Sequence, residues 1–186
     1  STRVRSSAAS DVYKRQNTET RFCFSAFLLF EEGRGTVEKQ VMIRCKSIQR
    51  DERGKAEEVV LETPGVYGED EDCRYLTYEE TSLSGMEGTT TTIRMYGDHV
   101  TLSRQGSFLQ ETEYRPGTVA KSEYITPAGP VEITVSSKEI TDTVSGGKGR
   151  LRLVYDIEMK GLFSHLNEII IDVREESETS WKSEKN

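Results

Sequence analysis

Residues 149–159 read GRLRLVYDIEM and carry an apolar side chain at every second position: Leu151, Leu153, Tyr155, Ile157 and Met159, opposite Arg150, Arg152, Asp156 and Glu158. Successive side chains of an extended chain point to opposite faces, so this pattern makes one buried and one wet face. A helix would scatter the same residues around its circumference. The same period of two recurs on both sides. Upstream, Val131, Ile133 and Val135 alternate with Glu132, Thr134 and Ser136; downstream, Ile169, Ile171 and Val173 alternate with Ile170 and Asp172. Near the start, Val41, Ile43 and Cys45 alternate with Met42, Arg44 and Lys46. Residues 89–96 (TTTTIRMY) are dense in β-branched side chains, and Gly97-Asp98 turns them into residues 99–104 (HVTLSR) as a hairpin.

Turn residues break these runs at Asp51-Glu52-Arg53-Gly54, Pro64-Gly65, Arg115-Pro116-Gly117, Pro127-Ala128-Gly129-Pro130 and Ser145-Gly146-Gly147-Lys148. The spacing, about 8 to 12 residues, is that of a barrel or sandwich. The reading is all-β, about ten strands with one buried face each and no credible helix. A sheet this wide curls until its edges meet, because closure removes the unpaired strand edges. A closed antiparallel barrel is therefore expected, with a two-sheet β-sandwich as the alternative.

The chain of 186 residues suits one hydrophobic core. Its formal charge is −7, from 25 basic and 32 acidic residues without a basic stripe, so no nucleic-acid partner is expected. No stretch approaches the roughly 18 apolar residues of a membrane helix, so no membrane partner is expected either. The three cysteines, Cys23, Cys45 and Cys73, show no CxxC spacing. That argues against a disulfide framework and a structural zinc site, and sets the expected location as cytoplasmic.

Residues 6–16 (SSAASDVYKRQ) resemble the translation of a transposase adapter used in shotgun sequencing libraries and are set aside from fold reasoning. The apolar run 22–30 (FCFSAFLLF) is followed by Glu31-Glu32 and no small-residue cleavage site, which reads as translated upstream sequence rather than a signal peptide. Residues 31–35 (EEGRG) can be encoded by a purine-rich ribosome-binding stretch and Val37 by GTG, so a natural start at Val37 is expected. A different codon for Val37 would contradict it. The expected organisation is a disordered non-native leader over 1–36, a barrel over 37–175 and a disordered tail over 176–186. Without the leader, which holds 6 basic and 4 acidic residues, the net charge goes from −7 to −9.

Four segments carry a family resemblance: YEETSLSGMEGTTTTIRM (78–95), VTLSRQGS (100–107), YITPAGPVEI (124–133) and GRLRLVYDIEM (149–159). Together they resemble the YwiB-like family of bacterial proteins, a domain-of-unknown-function family, across residues 37–175. The resemblance implies an up-and-down calycin-like β-barrel of about eight to ten strands, related in shape to lipocalins and fatty-acid-binding proteins. It implies no activity.

Charges that fall on an apolar strand face are the internal clue to a site, because burying them is costly unless they are paired. Arg104 shares its face with Val100 and Leu102, Glu80 with Leu76 and Tyr78, and Asp142 with Ile140 and Val144. With Tyr124 and Tyr155 they form the candidate ligand-binding set: Glu80, Arg104, Tyr124, Asp142 and Tyr155. The competing explanation is that these side chains sit at strand ends and snorkel to water.

Other signals are weaker. Residues 145–149 (SGGKG) look like a phosphate loop but lead into a strand instead of a helix, so a hairpin loop is expected. The acidic residues 69–72 lack the ligand spacing of a calcium loop. His99 and His165 have no partners for a metal site and no nucleophile motif beside them, and both read as surface residues. Catalytic residues, metal sites and cofactors are all expected to be none.

Three functional readings follow. The first is a non-enzymatic barrel with a small amphipathic ligand in its lumen. The second is a protein-protein interaction module with a filled, solid barrel and an outer apolar patch around Met42, Val60 or Ile170. The third, a hydrolase or isomerase using lumen carboxylates, ranks last because no acid pair at a defined spacing is evident.

Overall fold

The computed structural model describes residues 37–159 and 163–176. The leader expected at 1–36, and the expected tail apart from Glu176, lie outside them. Ten strands follow in chain order: β1 Val37–Arg50, β2 Ala56–Glu69, β3 Arg74–Glu79, β4 Thr89–Met95, β5 Val100–Gly106, β6 Gln110–Tyr114, β7 Val119–Thr126, β8 Gly129–Asp142, β9 Gly149–Met159 and β10 Phe163–Glu175. A 3-10 turn, Ser82–Ser84, lies between β3 and β4.

The strands make one antiparallel sheet in which each pairs with its neighbours in the chain and β1 also pairs with β10, from Val41 opposite Glu175 to Arg50 opposite Leu166. Strand order is thus up-and-down, and the two ends of the meander close on each other. The edges left over are β6 and β7. They meet through a single bridge among the described residues, Leu109 with Ile125, whose N–H groups donate across it at 3.0 and 2.9 Å. The Thr112 and Ser122 hydroxyls also touch there, at 3.2 Å. This is the expected closed barrel; one continuous sheet rules out the sandwich.

Inward positions build the core. Ile43, Tyr67, Leu76, Ile93, Leu102, Leu151, Leu153 and Ile171 are fully buried, each such aliphatic side chain contributing about 1.5–3 kcal/mol by leaving water. Outward positions carry cross-strand ion pairs, Arg44 with Glu62 at 3.6 Å, Arg150 with Asp172 at 2.6 Å and Arg152 with Glu168 at 2.6 Å. Exposed pairs of this kind add little stability each and keep the outer face wet.

Three details differ from the sequence reading. The alternation read at 131–136 belongs to a strand that runs on to Asp142: the register shifts between Ser137 and Glu139, so Val135 and Ser137 face inward before the shift and Ile140 after it. Strand β2 runs straight through Pro64-Gly65 instead of ending there. Pairing with β3 begins only at Gly65 opposite Tyr78, so Pro64 stands where β2 lacks a neighbour on that side, a position proline tolerates. Gly65 is needed there, since a Cβ would come within 2.5 Å of Ile43 Cδ1 and 2.7 Å of the Thr77 carbonyl oxygen. Finally, β10 starts at Phe163 and places His165 opposite Ile157 within the ladder, not in a turn.

Residues 145–149 lie in the expected β8–β9 hairpin loop, which folds over one end of the barrel. Gly146 and Gly147 take left-handed φ of +59° and +86°, and the Ser145–Lys148 bridge closes the turn. Val144 is buried there. The Gly146 N–H donates to Tyr67 Oη at 3.0 Å, and Lys39 Nζ donates to the Gly146 carbonyl at 2.9 Å.

Candidate functional site

Above that plug the barrel is not filled. A cavity of about 370 Å³ occupies the lumen, walled by residues from all ten strands and by Glu80 and residues 84–86 of the β3–β4 connection. The deep wall is apolar: Leu61, Ile93, Leu102, Ile133, Leu153 and Ile171. Tyr114 meets Tyr155 edge-on, with ring centroids 4.9 Å apart. Burial drives the Tyr78 and Tyr114 hydroxyls well above the usual tyrosine range and raises that of Tyr155, so all three line the lumen as neutral phenols.

One side of the wall is polar, and strand register explains why. Tyr78, Thr91, Arg104 and Gln110 stand side by side on β3, β4, β5 and β6, each the direct partner of the next. Glu80 lies just past the end of β3, its backbone N–H held by the Thr89 carbonyl at 2.8 Å. Its carboxylate accepts from Thr91 Oγ1 at 2.6 Å and faces Arg104 Nε at 3.8 Å. Arg104 Nη1 donates to Gln110 Oε1, and Gln110 Nε2 donates onward to Thr112 Oγ1 at 3.0 Å.

The Glu80 side chain is 2% exposed and that of Arg104 16% exposed, so neither snorkels to bulk water. Burial opposes the charge on Arg104, and the Glu80 carboxylate facing it favours that charge, so the guanidinium stays protonated. Arg104 Nε and, across the lumen, Asn167 Oδ1 are buried without a hydrogen-bond partner.

The mouth is dressed by aromatic and sulfur-bearing side chains. Phe108 stacks on Tyr124 with centroids 5.7 Å apart. Tyr124 Oη donates to Met86 Sδ at 3.4 Å, tying β7 to the β3–β4 connection across the seam. Cys45 also lines the cavity; burial first, then the charge of Glu80, pushes its thiol up to about 11.

Of the five candidate residues, four border this cavity: Glu80, Arg104, Tyr124 and Tyr155. Asp142 does not, and its place in the set is corrected. It sits at the plugged end, where Arg74 Nη2 donates to Oδ2 at 2.8 Å and the Val144 N–H donates to Oδ1 at 2.8 Å. It keeps the inward phase of Ile140 and Val144, but alternation fixes a face of the strand and not a height along the barrel. Gln110, Thr91, Asn167 and Met86 were not anticipated. Thr91 is in phase with Ile93 and was legible as an inward hydroxyl; the others needed the register.

Met42, Val60 and Ile170 are the residues named for an outer apolar patch. All three are half-buried, and Lys46 stands between Val60 and Ile170 in the ladder, paired with Glu58 at 2.9 Å. His99 and His165 are likewise half-buried rather than surface residues.

Comparison with known proteins agrees with this architecture. Residues 43–171 match the model of a domain of unknown function, DUF1934. The uncharacterized beta-barrel protein YwiB of Bacillus subtilis (strain 168) is 25% identical over 135 residues, covering 72% of this chain and 92% of that protein. The crystal structure of ywiB protein from Bacillus subtilis superposes with a TM-score of 0.68 at 23% identity, covering 75% of this chain and 94% of that one. Among the described residues no helix is long and apolar enough to cross a membrane. With its barrel, its register and its matched core, the chain belongs to the DUF1934 family of β-barrel domains.

Proposed function

We propose that this protein is a non-enzymatic carrier or sensor that takes a small amphipathic molecule into the barrel lumen. The observation that carries this reading is the cavity of about 370 Å³, within the size range of small-molecule sites, with an apolar body and one polar wall. The apolar part of the ligand packs against Leu61, Ile93, Ile133 and Ile171. Its polar end reaches the Arg104, Glu80 and Gln110 wall. The free thiols of Cys45 and Cys73 suit a reducing compartment, which supports a cytoplasmic location.

Native mass spectrometry of protein purified from its own host tests the reading. The expected result is one co-purifying mass released on denaturation. No such mass, together with no saturable binding of a neutral naphthylamine fluorophore, would retire it.

A further inference from the structure

We infer that the lumen selects ligands with an uncharged polar head, such as an alcohol or amide, over the carboxylate of the same chain length. This rests on the lumen-binding reading above. A single buried arginine in a barrel invites a carboxylate, but Arg104 already has one. Glu80 faces it at 3.8 Å and is itself held in place by Thr91 Oγ1 at 2.6 Å and by its backbone bond to Thr89. Gln110 Oε1 accepts from the guanidinium on its other side. An incoming anion would add a second negative charge beside Glu80, and among the described residues no second cation lines the cavity to balance it.

The nearby phenols and the Cys45 thiol are held neutral by burial, so the lumen offers dipoles rather than charge to the head group.

The test is displacement of N-phenyl-naphthylamine, a neutral fluorophore, from the intact protein at pH above 7 by decanol, decanamide and decanoate, in wild type and in Glu80→Gln. In wild type, decanol or decanamide should compete at least about tenfold better than decanoate, the equivalent of one like-charge contact of about 1.4 kcal/mol. In Glu80→Gln the uncompensated Arg104 should erase or invert that preference. Decanoate competing as well as decanol in wild type overturns the inference while leaving lumen binding intact. No saturable fluorophore signal at all overturns the binding reading itself. The wild-type series decides the matter even if Glu80→Gln fails to fold.

Discussion

Replacing Arg104 with methionine takes away the cation facing a carboxylate whose side chain is only 2% exposed. Breaking one half of a buried ion pair costs about 3–5 kcal/mol, because the remaining charge stays desolvated. Here Thr91 still donates to Glu80, so the cost falls towards and somewhat below the lower end of that range, about 2–4 kcal/mol. For a domain of this size that is a fall in Tm of roughly 8–15 °C. Glu80→Gln should cost less, about 1–2 kcal/mol, since the amide keeps the Thr91 contact and Gln110 still accepts from Arg104.

The double variant should cost about 1–3 kcal/mol, less than the sum, giving a coupling of about 1–3 kcal/mol. Urea denaturation of the four proteins measures it. Additive single effects, with coupling below about 0.5 kcal/mol, would refute the claim that the two charges compensate each other in the lumen.

Other consequences are as direct. Gly65→Ala should lower stability by about 1–3 kcal/mol without altering the fold, because the new methyl meets Ile43 Cδ1 and the Thr77 carbonyl; a neutral effect by thermal melting would mean the β2–β3 junction gives freely. Asp142→Asn should destabilise through Arg74 and Val144 yet leave fluorophore affinity within about twofold, since the plug is remote from the cavity; a larger loss of affinity would return Asp142 to the binding set. The Cys45 thiol, held at about 11 against an ordinary 9.0, should alkylate far more slowly in the folded protein than in urea. Because folding favours its neutral form, its contribution to stability is whole below about pH 9 and lost as pH rises towards about 11, relative to Cys45→Ala. Equal alkylation rates in the folded and unfolded states would show that the thiol is open to solvent.

Period-two alternation was enough to set the fold class, because a strand face is a local property: Leu151, Leu153 and Tyr155 turn inward whatever lies beside them. The same rule placed Arg104 and Glu80 on the inner face and marked Gly97-Asp98 and residues 145–149 as turns. What alternation cannot carry is register and phase. Asp142 keeps the phase of Ile140 and Val144 but lies beside Arg74 at the plugged end, and the continuous β2 ladder overrode the Pro64-Gly65 break. Likewise, that Thr91, Arg104 and Gln110 line up, with Glu80 reaching across, depends on how three hairpins pair, a sum of long-range hydrogen bonds and side-chain contacts. Whether the lumen is full or empty is a matter of summed side-chain volume against barrel circumference. Only the closed barrel, with β1 paired to β10 and a thin seam at Leu109 and Ile125, decides it.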